Sequence, residues 1–382
     1  MKIIIDARLY GLENAGLGRY VMNLVSEVCK VDTKNTYCLL LRKKYFDTIR
    51  LPKNCSKVLA DFGHYTFSEQ TRLLKVIQKE GADLVHFPHF NVPVLFRGLY
   101  VVTIHDLLMH RQVGLAATTL LPPVYLLKRI VYKTVFKNSV SKAAKIIVPS
   151  KAVENEISSY YGLNSGKVEV IYEGFNGQSF RNKVNKGEME KYGMDGKYFV
   201  YTGNAYPHKN LKRLVEAMVL LNNQSTSRVS LAIVSARSIF TKRLQKTINQ
   251  LNAQKFVKIL GFVPDSHLGE LYRGSVGLVF PSLSEGFGLP GIEAMESGTL
   301  VLASNIPVFK EIYKNNAIYF NQLDFSSIES AMKTALEMEV SERRDRIKVA
   351  QEFVKNYSWT TMAQQTVNVY EKTYGDNIRQ GK

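Results

Sequence analysis

Cysteine is scarce in this chain, which has only three among its 382 residues: Cys29, Cys38 and Cys55. Their number is odd, all three lie in the first sixth of the sequence, and no Cys-x-x-Cys pair or histidine cluster accompanies them. This pattern excludes a structural zinc site and favours reduced thiols. We therefore expect a cytoplasmic protein in a reducing environment.

Long apolar runs are missing as well. The amino-terminal run Ile3–Ile5 breaks at Asp6, which is too early for a secretory signal peptide. No later run has the length that a membrane-spanning helix requires, and no low-complexity tract or solenoid repeat is present. We therefore expect neither export through a signal peptide nor a transmembrane segment.

Acidic residues are outnumbered, with 33 Asp and Glu against 51 Lys and Arg and a formal net charge of +18. Such an excess favours polyanionic partners: phosphate ligands, nucleic acid or an anionic membrane. Residues 107–153 contain eight Lys or Arg and no acidic residue. Arg129, Lys133 and Lys137 recur there every four residues, nearly opposite a row of apolar side chains. That apolar row consists of Leu127, Val131 and Val135.

The pattern predicts a basic amphipathic helix, and two interpretations of it remain open. The charged face could simply be solvated, or it could dock on anionic lipid. We favour docking on lipid, which would make the protein peripheral on the inner face of a membrane. We expect no nucleic-acid partner, because the segment contains no recognised nucleic-acid-binding module.

The chain does contain a regular alternation of short apolar runs with helical patterns, which predicts an α/β fold with parallel sheets. Its length favours two Rossmann-like domains, at 1–175 and 192–358, with a polar linker at 174–191 and a terminal helical segment at 359–382. The expected ligand site is the cleft between the carboxyl edges of the two sheets. The predicted strands are Ile3–Ile5, Tyr37–Leu41, Leu84–Phe87, Tyr100–Ile104, Ile146–Val148, Tyr198–Thr202, Val229–Val234, Val257–Leu260, Val276–Phe280 and Leu300–Ala303.

The segment 280–298 places two carboxylates, Glu285 and Glu293, around a glycine-rich loop that opens a helix. Gly286 and Gly288 allow the backbone to approach a ligand closely, and the free N–H groups at a helix start suit a phosphate or a sugar oxygen. The two glutamates would accept hydrogen bonds from hydroxyl groups. The alternative is an ordinary strand-to-helix turn with solvated glutamates.

A second cluster, residues 201–210, follows a predicted strand and precedes an amphipathic helix. Lys209 lies near the start of that helix, where the helix dipole disfavours a cation. The position does suit a lysine that shares a diphosphate with backbone amides. The alternative is a solvated loop lysine.

Two further groups of residues lie in the first half. Gly16, Gly18 and Arg19 open a helix after the first strand, and the glycines could let the backbone approach a donor phosphate or an acceptor. His105 and Asp106 end a buried strand. The histidine could orient an acceptor hydroxyl or hydrogen-bond a sugar oxygen, and the aspartate could fix the histidine tautomer or act on the acceptor. The alternative is a core histidine bonded to a carbonyl, followed by a helix-capping aspartate.

A last group of polar residues lies at the end of the predicted strand Leu84–Phe87. His86, His89 and Asn91 are candidate acceptor contacts there. We do not expect the two histidines to bind a metal, because no third metal ligand follows them at a suitable spacing.

The two glutamates, separated by seven residues, resemble the signature of retaining glycosyltransferases of family 4, whose GT-B fold has two Rossmann-like domains facing across a cleft. The resemblance implies that Glu293 binds the ribose hydroxyls and that Glu285 lies beside the donor sugar. It further implies that Lys209 binds the donor diphosphate and that the terminal helix returns to the first domain. It also implies donor contacts from Gly203, Asn204, His208, Val263, Gly286, Phe287, Gly288 and Leu289, with Gly16 and Gly18 facing the cleft. Two positions depart from the family pattern, because Asn204 and His208 stand where many members have arginine.

The implied activity is transfer of a hexose, with mannose as the leading choice, from a GDP- or UDP-linked sugar to a glycan or lipid-linked acceptor in surface polysaccharide or lipopolysaccharide assembly. Glu285, Lys209, His105 and Asp106 are the expected catalytic residues, without a cofactor or a metal. One alternative is a nucleotide-sugar epimerase of the same fold. Another is a non-enzymatic basic scaffold that binds membrane or nucleic acid.

Overall fold

A computed structural model describes residues 1–111, 121–175, 177, 180, 184 and 189–381. The chain forms two compact units: Met1–Gly174 together with Tyr357–Lys382, and Phe175–Asn356. More than half of the expected linker at 174–191 lies outside the described residues.

The first unit is built around a seven-stranded parallel sheet in the order β3-β2-β1-β4-β5-β6-β7. Its strands are β1 (Lys2–Ile5), β2 (Thr36–Leu41), β3 (Cys55–Leu59), β4 (Leu84–Phe87), β5 (Tyr100–Thr103), β6 (Lys145–Val148) and β7 (Val168–Val170). Its helices are α1 (Ala15–Val31), α2 (Lys43–Phe46), α3 (Leu74–Glu80), α4 (Leu108–Arg111), α5 (Pro122–Lys142), α6 (Lys151–Tyr161) and the terminal α14 (Trp359–Arg379). The central strands are apolar on both faces, so the core lies on both sides of the sheet.

The second unit contains a six-stranded parallel sheet in the order β10-β9-β8-β11-β12-β13. Its strands are β8 (Tyr198–Thr202), β9 (Ser230–Val234), β10 (Val257–Gly261), β11 (Gly277–Phe280), β12 (Leu300–Ser304) and β13 (Ile318–Phe320). Its helices are α7 (Leu211–Gln224), α8 (Ile239–Gln250), α9 (Asp265–Gly274), α10 (Leu289–Ser297), α11 (Pro307–Tyr313), α12 (Phe325–Glu337) and α13 (Val340–Phe353).

The predicted α/β class with parallel sheets is confirmed, and each of the ten predicted strands is present within one residue at either end. Three strands were missed: β3, β7 and β13, which all lie at sheet edges. Their side chains are mostly half-exposed. Polar residues interrupt the apolar pattern of β3 and β7, and β13 is apolar but only three residues long.

The order of strands reverses between β1 and β4 in the first sheet and between β8 and β11 in the second. Loops that leave neighbouring strands in opposite directions open a crevice at the carboxyl edge, which is where open α/β sheets bind ligands. Most of the predicted site residues follow the strands beside the reversal point of their sheet. The exceptions are His86, which lies within β4, His105 and Asp106, which follow β5, and Val263, which follows the edge strand β10.

The expectation of three reduced cysteines is wrong, because the structure pairs Cys29 and Cys55 in a disulfide, with Cα atoms 6.6 Å apart. Cys29 lies near the end of α1 and Cys55 begins β3, the strand that the sequence analysis missed. Asn54 Nδ2 donates to the Cys29 carbonyl at 3.2 Å and holds the two segments together. Cys38 is free and buried in β2.

The predicted basic helix exists as α5. Its buried side chains are Tyr132, Phe136, Ser139 and Val140, whereas Leu127 and Val131 of the predicted apolar row are 63% and 54% exposed. The large rings of Tyr132 and Phe136 pack against Phe90 and dictate which face turns inward. Arg129, expected on the free basic face, donates to the carbonyls of Met109 and His110.

Candidate active site

Hydrogen bonds from Asn210 connect the loop after β8 to the loop after β11. Its side-chain Nδ2 donates to the Pro281 carbonyl at 3.1 Å and to the Gln322 carbonyl at 2.7 Å. The backbone of Leu283 also donates to the His208 carbonyl at 2.8 Å. Asn210 adopts a left-handed conformation, with φ of 60°, at the start of α7. These bonds place the side chain that precedes Asn210 beside the loop that follows β11.

That side chain is Lys209, and its Nζ forms an ion pair with Glu285 Oε1. Both side chains are largely buried, with 12% and 13% of their area exposed. The structure therefore brings together two of the predicted catalytic residues, 76 positions apart in sequence. A lysine held this way can exchange its carboxylate partner for a phosphate oxygen, because both are anionic oxygen acceptors.

The glycine-rich loop between β11 and α10 is shaped by Tyr313. The Tyr313 hydroxyl donates to the Gly288 carbonyl at 2.6 Å. Gly288 has φ of +100°, and a Cβ atom there would lie 2.3 Å from that hydroxyl. Only glycine fits this position without displacing the loop. Phe287 and Leu289 are buried on either side of it, so the backbone from 286 to 289 leads directly into the first turn of α10.

Glu293 lies within α10, one turn after its start, and is only 5% exposed. Near the amino end of a helix a carboxylate is favoured by the dipole. Glu293 and Glu285 therefore lie on opposite sides of the glycine loop in the chain, one in the helix and the other before it.

His208 adds no positive charge to this site. Burial first, and then the neighbouring Lys209, lower its pKa to about 4, so the ring is neutral near pH 7. Asn204 shapes its own loop, because its carbonyl accepts from the Tyr201 hydroxyl at 2.7 Å and its Oδ1 accepts from the Tyr206 N–H at 3.4 Å. Gly203 donates to the Val234 carbonyl at 3.0 Å. Val263 is buried in the loop after β10.

In the first unit, His105 lies just beyond β5 with both ring nitrogens engaged. Nδ1 lies 3.3 Å from Glu173 Oε1, and Nε2 lies 3.1 Å from the Pro88 carbonyl oxygen. Asp106 was expected to fix the histidine tautomer, but its Oδ1 accepts from the Leu108 N–H at 3.0 Å at the start of α4. The carboxylate that contacts His105 is therefore Glu173, which the sequence analysis did not identify.

His86 does not offer a contact to an acceptor, which corrects the expectation for this residue. It is fully buried, with Nδ1 2.6 Å from the Tyr370 hydroxyl and Nε2 2.8 Å from Thr103 Oγ1. Burial, and to a lesser extent the nearby His105, lower its pKa to about 3. Its position in the middle of the sheet, opposite Ile5 and Val101, leaves no path for a ligand.

His89 and Asn91 follow β4 at the reversal point of the first sheet. The pKa of His89 lies well below its ordinary value, mainly because of burial. Within the described part of the chain, His89 Nδ1 and Asn91 Nδ2 are buried and make no hydrogen bond. Both residues thus carry polar atoms that this unit does not satisfy.

The glycines at the start of α1 have different surroundings. A Cβ atom on Gly18 would lie 1.8 Å from the Gly11 carbonyl oxygen, so this glycine permits close internal packing. Gly16 is exposed, and Arg19 is half-buried. The contact with Gly11 explains why position 18 needs a glycine, and the expected ligand contact of Gly18 stays a prediction.

The sequence analysis did not identify a buried cluster of charged side chains at the reversal point of the first sheet. Arg8 is 2% exposed and donates from Nε and Nη2 to Asp6, at 2.8 and 2.7 Å, and from Nη2 to Glu69 at 2.7 Å. Burial raises the pKa of Asp6, but the charge and hydrogen bonds of Arg8 together bring it below its ordinary value. The signal was present in the sequence, because Asp6 and Arg8 follow a buried strand directly.

Among the residues that the structure describes, no three His, Cys, Asp or Glu side chains are grouped so that they could hold a metal ion. Nor does this part of the chain contain a helix that is both long and apolar enough to traverse a lipid bilayer.

Two units that are each built on a parallel sheet are the architecture of the GT-B glycosyltransferases. Residues 15–178 match the family described as Glycosyltransferase Family 4, and residues 185–353 match Glycosyl transferases group 1. The chain is 26% identical over 377 residues to the O-antigen chain mannosyltransferase RfbU of Salmonella typhimurium, which covers 96% of this chain and 98% of that protein. The chain belongs to glycosyltransferase family 4.

Solved structures show the same fold. Sucrose-phosphate synthase from Thermosynechococcus elongatus has a TM-score of 0.78 at 20% identity and covers 98% of this chain and all of that one. Anabaena HepE in complex with UDP-glucose has a TM-score of 0.73 at 16% identity, over 97% of this chain and 100% of that chain.

Proposed function

We propose that this protein transfers a hexose from a nucleoside-diphosphate sugar to a glycan or lipid-linked acceptor in surface polysaccharide assembly. Mannose is the leading candidate for the hexose. The choice of mannose and of this setting is supported by the similarity to RfbU, which is named an O-antigen chain mannosyltransferase. Membership of a glycosyltransferase family favours transfer over the epimerase and scaffold alternatives.

The ion pair between Lys209 and Glu285 carries this proposal. It places a cation and a hydroxyl acceptor side by side at the reversal point of the second sheet, at the start of α7 and before α10. On donor binding, Lys209 would shift to the diphosphate, and Glu285 would accept hydrogen bonds from the sugar hydroxyls. Glu293, one turn into α10, would accept from the ribose hydroxyls.

We further propose that transfer retains the anomeric configuration and needs no metal. The bond between the anomeric carbon and the leaving phosphate oxygen breaks as the acceptor oxygen bonds to the same face of that carbon. The acceptor proton passes to the departing phosphate. Lys209 and the backbone amides of 287–289 would stabilise the charge that develops on the diphosphate, in the role that a divalent cation fills elsewhere.

A titration with GDP, UDP, ADP and dTDP tests the donor site. A ligand that binds only the folded protein raises its melting temperature according to its concentration relative to its dissociation constant. We expect a selective rise with GDP and a loss of that rise in Glu293→Gln. Unchanged melting temperatures with all four nucleotides at millimolar concentration would contradict the donor site.

The stereochemistry requires a separate experiment. GDP-α-mannose is incubated with a mannose-terminated acceptor with and without EDTA, and the anomeric coupling of the product is measured by NMR. An α-linked product at an undiminished rate in EDTA is expected. A β-linked product contradicts retention, and loss of activity in EDTA contradicts metal independence.

We also propose that the protein docks on an anionic membrane through α5. The support is an exposed apolar patch, defined here as Leu126, Leu127, Ile130 and Val131, each more than half exposed. Lys128, Lys133 and Lys137 are exposed on the same helix. Apolar side chains that enter the interface and lysines that meet anionic headgroups are the combination that holds a peripheral helix on a bilayer.

A further inference from the structure

Tyr65, in the segment between β3 and α3, has a left-handed backbone conformation, with φ of 61°. Bulky residues avoid this conformation, and they keep it only where their surroundings hold them. Here the Tyr65 N–H donates to Glu69 Oε2 at 2.8 Å. Tyr65 is 63% exposed, and its ring centroid lies 6.1 Å from that of His89 and 6.0 Å from that of Phe90. The segment therefore presents an aromatic ring to solvent from a strained backbone position.

Glu69 joins Tyr65 to a buried group of polar side chains. While Glu69 Oε2 accepts from Tyr65, Glu69 Oε1 accepts from Arg8 Nη2 at 2.7 Å. Glu69 also begins a five-residue π-helical turn, Glu69–Leu73. Such turns are rare and often accompany functional sites. The backbone position of Tyr65 is thus coupled to Arg8 through a single buried carboxylate.

Three side chains around this carboxylate have polar atoms without a partner. Within the described part of the chain, Arg8 Nη1, His89 Nδ1 and Asn91 Nδ2 are buried and make no hydrogen bond. Arg8 acts electrostatically on the His89 ring, and Asn91 follows His89 by two residues. A buried polar group without a partner costs about 1–3 kcal/mol. Several of them in one region indicate a ligand that supplies the missing partners.

The charges of this region balance. Arg8 is paired with Asp6 and with Glu69, at 2.7 Å each. Burial lowers the pKa of His64 to about 4 and holds that of His89 well below its ordinary value, so both rings are neutral near pH 7. An anionic ligand would meet two carboxylates beside one guanidinium. A neutral hydroxyl oxygen accepts a hydrogen bond from Arg8 without that repulsion.

We propose that Tyr65, Arg8, His89 and Asn91 form a subsite in the first unit for a neutral sugar. The Tyr65 ring would cover the apolar face of the pyranose, and the buried polar atoms would bind its hydroxyl groups. On the proposed function, on which this inference rests, that sugar is the terminal residue of the acceptor. Tyr65 and Arg8 thereby join His89 and Asn91, the two candidate acceptor contacts that remain.

Saturation-transfer NMR of the full chain without a donor tests the subsite directly. The probes are the methyl α-glycosides of mannose, glucose, galactose and N-acetylglucosamine, and methyl α-glucuronide is the anionic counterpart of the glucoside. We expect at least one neutral glycoside to bind at millimolar concentration. Binding of no neutral glycoside overturns the proposal. So does binding of the glucuronide that depends on Tyr65 and is tighter than that of every neutral glycoside.

Variants separate the role of the Tyr65 ring from that of the fold. Tyr65→Ala should weaken binding of the glycoside about tenfold, whereas Tyr65→Phe should retain it because the ring remains. Phe67→Ala is the matched control, since Phe67 lies two residues further along and is 83% exposed. Asn91→Leu removes a buried donor without a partner at similar volume, so it should weaken binding without lowering the melting temperature. Binding as in wild type by Tyr65→Ala, or equal losses in Tyr65→Ala and Phe67→Ala, overturns the proposal.

Kinetics distinguish failure of this inference from failure of the proposed function. With a glycoside that binds and a nucleotide sugar, Tyr65→Ala should raise the KM for the acceptor about tenfold and leave the KM for the donor unchanged. An unchanged acceptor KM would overturn the inference, although transfer itself persists. A protein that binds the glycosides through Tyr65 but transfers no sugar would refute the proposed function and leave the subsite in place.

Discussion

The hydroxyl of Tyr370 lies 2.6 Å from Nδ1 of His86, in a buried hydrogen bond between residues 284 positions apart. Tyr370 belongs to the terminal helix α14, which packs on α1, and His86 lies in β4 near the centre of the first sheet. His86 Nε2 continues the chain of bonds to Thr103, which lies 3.2 Å from the Tyr20 hydroxyl. The terminal helix is therefore part of the polar core of the first unit.

Replacing Tyr370 with phenylalanine should destabilise the first unit by about 1–3 kcal/mol, because a buried ring nitrogen loses its partner. Calorimetric melting measures the change. Tyr374→Phe is the matched control on the same helix, since the Tyr374 hydroxyl makes no hydrogen bond within the described ranges. Equal melting temperatures for wild type and Tyr370→Phe would contradict the role assigned to this bond.

Substitutions of the two partners in the ion pair between Lys209 and Glu285 should have different kinetic effects. Lys209→Ala should lower kcat and raise the KM for the donor, because the lysine contacts the diphosphate before and during transfer. Glu285→Ala should mainly lower kcat, by on the order of 10²-fold. Lys212→Ala is the control for lost charge, since Lys212 is 72% exposed and pairs with Glu216. Full activity in both site variants would refute the proposed function.

Gly288→Ala should destabilise the second unit by about 1–3 kcal/mol, because alanine is strained at this φ and its Cβ meets Tyr313. Donor binding should weaken as the loop shifts. Adding Tyr313→Phe removes the oxygen that lies 2.3 Å from the new Cβ, so the double variant should recover part of the melting temperature. If the double variant is destabilised by the sum of the two single changes, the clash is not the cause.

Acidification should destabilise the protein well before its carboxylates titrate. Burial lowers the pKa of His86 to about 3 and those of His110 and His208 to about 4, from an ordinary value of 6.5. The unfolded chain therefore binds more protons than the folded one below pH 6.5. This contribution to stability is complete above pH 6.5 and is lost as the pH falls towards 4, by at most about 1.4 kcal/mol per pH unit for each histidine.

Melting temperatures measured from pH 7.5 to 5 should therefore fall, and His208→Gln should make the fall shallower. A flat profile between pH 6.5 and 5 would contradict the neutral state of these rings.

Liposome flotation tests α5. Binding to anionic vesicles at low salt is expected, and changing Lys128, Lys133 and Lys137 to Gln should weaken it on the order of a hundredfold, at about 1 kcal/mol per lysine. The charge-matched control changes Lys242, Lys246 and Lys255, which are exposed in the second unit. Equal loss in both triple variants would show that net charge alone binds the vesicles. Leu127→Ser with Ile130→Ser should weaken binding that persists at high salt.

The sequence by itself determined the class of the fold and much of the candidate site in the second unit. Buried parallel strands are continuous apolar runs, and a glycine loop before a helix is a local pattern, so Lys209, Glu285 and Glu293 could be found without coordinates. Local periodicity also predicted that α5 exists. It did not predict which face is buried, because the rings of Tyr132 and Phe136 compete with the aliphatic row for the core.

Only the tertiary structure decided which polar groups meet. The contacts of His105 with Glu173, of Tyr370 with His86 and of Cys29 with Cys55 join segments 68, 284 and 26 residues apart. No local pattern specifies such a partner, because strand order and helix packing choose it. The same holds for Lys209 and Glu285: the sequence placed each beside a strand end, and the adjacency of β8 and β11 made them an ion pair.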